Sequence, residues 1–181
     1  MYTAVVTRLV LLLAFALVVV SGVAARAADP AAQLELARPG RAQTAKPFEV
    51  PTPDGGTLTL ADFRGRVVLL NFWATWCGPC KEEMPAMERL YQRFREQGLA
   101  VLAISNDSEG STRSVARFVK ENGFTFPVGL DPRLRVASLY GVRVLPASLI
   151  IDRKGTIIHI ALGPREWDKP AAIQLFESLL R

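Results

Sequence analysis

Cysteine and histidine are scarce in this 181-residue chain, which has two of the first and one of the second. That scarcity excludes a tetrahedral zinc site, because no second cysteine pair joins Cys77 and Cys80, and His159 stands alone. No internal repeat or low-complexity segment is present, which excludes solenoid and fibrous architectures. The formal net charge is +5, of which Arg8 and Arg26 supply two, leaving +3 for the remainder. The basic residues are scattered among acids, so no nucleic-acid-binding surface is expected. No cysteine lies near the N-terminal apolar run, which excludes a lipid-modified cysteine anchor.

What is present begins with that run. Arg8 precedes twelve apolar residues, Leu9 to Val20, and Ala25-Arg26-Ala27 follows. A basic start, a short apolar stretch and an Ala-x-Ala-like site form the pattern of a secretory signal. Residues 1–28 are therefore expected to be a signal peptide cleaved near Ala27 or Ala28. The alternative is an N-terminal membrane anchor, since the uncharged stretch 9–25 is about 17 residues, the lower limit for a span. Either way the domain is expected to face outward, because Arg8 stays inside. Such an extracytoplasmic, periplasmic compartment permits disulfides.

Residues 29–44 read as a linker, with a short helix over 31–36. Phe48-Glu49-Val50 and Thr57 to Leu60 flank Pro51 to Gly56, whose Asp-Gly-Gly is turn chemistry, so a β-hairpin is expected. Val67 to Trp73 is nearly all apolar, as in a strand buried on both faces. A helical pattern runs from Lys81 to about Gln97, with Met84, Met87, Leu90, Tyr91 and Phe94 on its core face and a kink expected at Pro85. A second apolar strand, Ala100 to Ser105, is followed by a polar loop, Asn106 to Ser111, whose acids are expected to be solvated. Helical spacing recurs over 112–122 and 132–140, with a short strand at Phe126 to Val128. Strands at 149–151 and 156–162 form a closing hairpin, and a terminal helix covers 167–180. Alternating strands and helices imply an α/β fold with a mixed central sheet flanked by helices. His159 fits the alternation of the last strand and is expected to be structural or on the surface.

The two cysteines lie in Trp76-Cys77-Gly78-Pro79-Cys80, between the first buried strand and the long helix. A Cys-x-x-Cys pair at such a junction reads as a redox motif. Cys77 would sit at the helix N-terminus, where unpaired N–H groups and the helix dipole favour a thiolate. Cys80, one turn on, can close a disulfide with it. An inert structural disulfide is the bland alternative, but so short a loop constrains the unfolded chain little.

The stretch Asn71-Phe72-Trp73-Ala74-Thr75-Trp76-Cys77-Gly78-Pro79-Cys80-Lys81-Glu82-Glu83-Met84-Pro85 resembles the active-site segment of exported thioredoxin-like proteins of the TlpA, ResA and CcmG group. Tyr140 to Pro146 and Leu149 to Gly155 are similar to the same group, and the resemblance covers 45–181. It implies a thioredoxin-like domain with an N-terminal β-hairpin and an inserted strand-helix unit. It implies that Cys77 is the exposed nucleophile, Cys80 the buried resolving thiol and Pro146 a cis-proline facing them. Trp76, Gly78, Pro79 and Leu145 would contact substrate. Glu83, three residues after Cys80, matches a glutamate that exchanges protons with the resolving thiol, although a solvated acid favouring the helix start is the plain alternative. Two positions depart from the group. Asn71 stands where cytoplasmic thioredoxin has a buried aspartate, which shifts proton handling to Glu83 or water. Ala147-Ser148 stands where many relatives have two threonines.

The resemblance further implies a monomeric protein-disulfide reductase acting through Cys77 and Cys80 alone, with no cofactor and no metal. Its substrates would be proteins in cytochrome c maturation or in copper-site assembly of respiratory oxidase. Its electrons would come from a membrane donor of the DsbD or CcdA type. Two alternatives belong to other classes. A copper chaperone on this scaffold needs a wider cysteine pair and a placed histidine, and His159 is a poor candidate. A thiol peroxidase needs Thr-x-x-Cys, and residue 74 is alanine.

Overall fold

The computed structural model describes residues 29–181. The signal or anchor expected for 1–28 lies outside the described residues. The elements of the fold are α1 Pro30–Gln33, β1 Gln43–Thr44, β2 Glu49–Pro51, β3 Thr57–Thr59, β4 Val67–Trp73, α2 Gly78–Phe94, β5 Leu99–Ser105, α3 Thr112–Glu121, β6 Val128–Leu130, α4 Arg135–Leu139, β7 Ala147–Ile151, β8 Thr156–Leu162 and α5 Pro170–Leu180, with a 3₁₀ turn Leu60–Phe63 before β4.

Six strands form one sheet in the order β1-β8-β7-β4-β5-β6. β4, β5 and β6 are parallel, while β7 is antiparallel to β4 and β8 is antiparallel to β7. Every residue of β4 and β5 is buried, which explains their nearly continuous apolar sequences. Period-2 alternation divides β4 between two cores. Val67, Leu69 and Trp73 join the core with α2 and α5, and Val68, Leu70 and Phe72 join the one with the hairpin and α4. Asn71 falls on the α2 side of this alternation. It is the single polar residue in β4, and its side chain points to the helix that carries the cysteines.

The β2–β3 hairpin forms at the expected place, with Val50 opposite Leu58. It packs on β6 at Gly129, where a Cβ would meet Val50 Cγ2 at 2.4 Å and Ile104 Cδ1 and Leu58 Cδ2 at 3.1 Å. Only the missing side chain lets the hairpin seat there.

Several boundaries differ from expectation. Residues 29–44, read as a linker, are part of the domain. Asp29 caps α1 through Ala31 N–H at 3.1 Å, Ala31 and Leu34 enter the α2–α5 core, and Ala37 and β1 pair with β8. The cysteine helix starts at Gly78, not Lys81, because proline in a first turn loses no hydrogen bond and Cys77 serves as cap. It runs on through Pro85 as one helix. Lys81, whose carbonyl loses its partner, is exposed to water. The strand expected at 126–128 is displaced to Val128–Leu130, since pairing with β5 begins at Val128. α4 is shorter than 132–140, beginning at Arg135, where the buried Asp131 carboxylate accepts Arg135 N–H and Ala137 N–H at 2.8 and 2.9 Å. Trp167 precedes α5 instead of starting it.

Filling the Gly129 contact should cost stability without touching the cysteines. Gly129→Ala is expected to lower the free energy of unfolding by about 1–3 kcal/mol, an overpacking penalty. Urea denaturation of the oxidised protein measures this.

Candidate active site

Cys77 is the N-cap of α2, in extended conformation at φ −86° and ψ 104°. Its sulfur accepts the Cys80 N–H at 3.3 Å, so the first turn of the helix is aimed at Sγ. A free N–H and the helix dipole both stabilise a thiolate there. The two cysteines form a disulfide, with Cα atoms 5.3 Å apart. Cys80 is completely buried, and Cys77 retains 6% of its surface. Cys77 is thus the more accessible cysteine of the pair, though far less exposed than the resemblance implied. Trp76 beside it is 69% exposed, and Gly78 and Pro79 are exposed as well.

The loop before the cap is held from below. Asp107 accepts Thr75 N–H at 2.9 Å, Thr75 Oγ1–H at 2.6 Å and Ser105 Oγ–H at 2.8 Å. This acid was expected to be solvated, yet it is buried at the C-terminal end of β5. The loop between β4 and α2 needs backbone partners that neither element supplies, and Asp107 supplies them. Glu109 in the same loop is exposed, as expected, and pairs with Arg133.

Leu145–Pro146 is a cis peptide immediately before β7. Pro146 is buried, Leu145 half-buried, and the Pro146 carbonyl accepts Gly163 N–H at 2.9 Å. Val144 and Leu162 are exposed apolar residues in the same two segments.

Glu83 is buried to 4% of its surface, and the solvated alternative for it therefore falls. One carboxylate oxygen, Oε1, accepts Asn71 Nδ2–H at 2.8 Å, and the same amide donates to Ser148 Oγ at 2.9 Å. Asn71 and Ser148 are direct cross-strand partners in β4 and β7. The other oxygen, Oε2, accepts Arg165 N–H at 2.9 Å and Trp167 Nε1–H at 3.2 Å. Burial pushes the carboxyl up from 4.5 to about 7, against the opposing pull of these three donors and the Arg165 charge. The group one helical turn from Cys80 is thus poised to hold or release a proton near neutral pH.

Sequence reasoning missed Ser148 as a partner of Asn71, and also Arg165, Trp167 and Asp107. Each acts across a long sequence separation, and no spacing rule marks it. His159 is buried on β8, and burial with the nearby Arg38 charge lowers its basicity. It takes no part in the cysteine site. Among the described residues, no cluster of three or more histidine, cysteine or acidic side chains could hold a metal.

The sheet, the capped Cys-x-x-Cys helix and the cis-proline before β7 define a thioredoxin-like thiol-disulfide oxidoreductase. Comparison with known proteins narrows this. A family model described as the AhpC/TSA family matches residues 42–160. Thiol-disulfide oxidoreductase ResA of Halalkalibacterium halodurans is 38% identical over 132 residues, 73% of each chain. Its Bacillus anthracis namesake is 38% identical over 116 residues, 64% of this chain and 66% of the relative. Among solved structures, a Chlorobium tepidum protein described as a thiol:disulfide interchange protein DsbE matches with a TM-score of 0.70 at 33% identity, over 78% of this chain and 98% of that one. StoA from Bacillus subtilis matches with 0.59 at 28%, over 73% and 95%. The chain belongs to the AhpC/TSA family, with relatives named as ResA-type thiol-disulfide oxidoreductases.

The raised Glu83 pKa has a sign in stability. Between 4.5 and about 7 the native state holds a proton that the unfolded chain has released, so stability falls as pH rises through that window. The loss is roughly 3 kcal/mol at most. His159, with its lowered pKa, contributes the opposite slope below its ordinary 6.5. Comparison of Glu83→Gln with the parent isolates the glutamate. Urea denaturation of the oxidised forms at pH 5 and pH 8 should show the parent losing stability relative to the variant.

Proposed function

We propose that this chain is an exported reductant of protein disulfides, acting on cysteine pairs in cytochrome c maturation or respiratory-oxidase copper-site assembly. A membrane thiol donor of the DsbD or CcdA type would return it to the dithiol form. The signal-like N-terminus supports export, and the names of the relatives support the chemistry. The observation that carries the mechanism is the pairing of a fully buried Cys80 with a buried carboxylate poised near pH 7.

In the dithiol form, the Cys77 thiolate at the helix cap attacks a substrate disulfide. A bond forms between Cys77 Sγ and one substrate sulfur, and the other substrate sulfur leaves as a thiolate and takes a proton. Cys80 then gives its proton to Glu83. The resulting Cys80 thiolate attacks Cys77 Sγ, and the second substrate sulfur leaves and is protonated in turn. Two electrons pass to the substrate, and the enzyme is left with the Cys77–Cys80 disulfide. Glu83 matters because a buried thiol resists ionisation, and an adjacent base lowers that cost.

The rim formed by Trp76, Gly78, Pro79 and Leu145 is the surface on which the substrate segment lies. An extended segment beside Pro146 pairs with the Leu145 backbone and brings its disulfide to Cys77. The Gly-Pro dipeptide between the cysteines, as in thioredoxin, leans toward reduction. A peroxidase reading gains nothing from the site, since Ala74 offers no hydroxyl where Thr-x-x-Cys would place one.

Trapping tests this reading. Cys80→Ser, reduced and mixed with an extracytoplasmic extract, should accumulate mixed disulfides through Cys77, and the native pair should reduce insulin disulfides. Equal trapping by Cys77→Ser would overturn the assignment of the nucleophile. Failure to reduce insulin, with tight stoichiometric Cu(I) binding, would overturn the reductase reading.

A further inference from the structure

Glu83 is held on one side by the sheet and on the other by a short segment after β8. The second hold has an anchor outside the site. The Arg165 backbone N–H reaches Glu83 Oε2, and the Arg165 side chain reaches away to the N-terminal segment. Its Nε–H donates to Leu34 O at 2.6 Å and an Nη2–H to Glu35 O at 3.2 Å. An Nη1–H donates to Pro164 O at 2.8 Å, and Nη2 lies 3.9 Å from the Glu35 carboxylate. The Arg165 side chain is only 14% exposed, so these are shielded contacts, while the Glu35 carboxylate is 84% exposed and adds little.

The carbonyls it meets are set by a tight turn. After α1, Glu35 takes a left-handed conformation at φ 50°, and Leu36 N–H returns to Ala31 O at 2.9 Å. Such a turn leaves carbonyls at the end of a helix without partners inside it. The guanidinium fork supplies donors for two of them in a fixed plane. Ala31 and Leu34 pin the turn into the core, and Ala37 bridges to Ile160 in β8.

We propose that Arg165 is a positioning residue that couples the docking of residues 29–38 to Glu83. With the turn seated, the guanidinium fixes the Arg165 main chain and aims its N–H, and the Trp167 indole two residues on, at Oε2. With the turn displaced, both donors lose their aim and the carboxylate keeps only Asn71. All three donors favour the ionised carboxylate. A displaced turn therefore raises the proton affinity of Glu83, and less of it is ionised and able to accept a proton near neutral pH. The segment leading from the N-terminal apolar run thus tunes the proton acceptor.

The groups facing Glu83 are few. Cys80 stands one turn away on its own helix. β4 and β7 present the neutral Asn71 and Ser148. The segment after β8 presents the neutral Trp167 and the one nearby charge, the Arg165 guanidinium. This proposal rests on the reading of Glu83 as the proton acceptor for Cys80.

The test is a pH titration of the Glu83 side-chain carboxyl by ¹³C NMR in the full chain, alongside the pH profile of Cys80 reactivity in the reduced protein. Arg165→Ala removes the coupling. Ala31→Gln displaces the turn from the far side and keeps the guanidinium, which separates positioning from direct charge. Both should move the Glu83 midpoint up by about one pH unit, a tenfold rise in proton affinity. Arg165→Lys, with one ammonium for two carbonyls, should restore part of it. The double variant should move no further than Arg165→Ala alone. An unmoved midpoint in Ala31→Gln, with Asn71→Ala still shifting it, overturns the coupling. A Glu83→Gln profile identical to the parent would instead overturn the reading of Glu83 as acceptor, and the midpoint would still decide the coupling.

Discussion

The buried carboxylate of Glu83 is the constraint around which the site is built. Removing an ionised carboxyl from water is costly, and the protein meets the cost in part with three N–H donors, from Asn71, Arg165 and Trp167. Burial still outweighs them, which leaves the group near pH 7 instead of near 4.5. That balance explains the amide at position 71. An aspartate there would set two carboxylates within hydrogen-bonding distance and drive one of them neutral. The amide donates instead, and its cross-strand neighbour Ser148 takes its second N–H.

The rest of the scaffold fixes the loop and helix start that carry the sulfurs. β4 ends on Trp73, completely buried, and the chain turns through Ala74 and Thr75 before Cys77 caps α2. Asp107, just past the end of the parallel neighbour β5, ties that turn down with two hydrogen bonds from Thr75 and is itself held by Ser105 Oγ–H. On the other side, Gly163 N–H fixes the Pro146 carbonyl. The hairpin and Gly129 close the opposite face of the sheet, far from the chemistry. Fixed placement of this kind is what a two-step exchange needs, since the second sulfur must find the first without searching.

Local signals made much of this legible in the chain. The nearly continuous apolar character of Val67 to Trp73 marks a strand buried on both sides, the Asp-Gly-Gly turn marks the hairpin, and the Cys-x-x-Cys pair marks the strand-to-helix junction. Cys77, Cys80 and Glu83 were reached from spacing and resemblance together, and the cis bond at Pro146 from resemblance alone. What stayed hidden depends on tertiary contact. Asp107 reads as one more loop acid until its reach to Thr75 is known. Residues 29–44 read as a linker because their partners, β8 and α5, lie more than a hundred residues away. Arg165 and Trp167 follow a Gly-Pro break and carry no periodic pattern, yet they complete the environment of Glu83.

The pH dependence of the resolving step tests the central claim most directly. A mixed disulfide formed on Cys77 releases its substrate only when Cys80 ionises, and that release can be followed by stopped flow from pH 5 to pH 10. If Glu83 accepts the proton, the native rate should rise through an inflection near 7. In Glu83→Gln the inflection should move to the intrinsic range of a buried thiol, above about 8.5. The rate at pH 7 should fall roughly tenfold or more, as expected for the loss of a general base. Superimposable profiles for the two proteins would contradict the account.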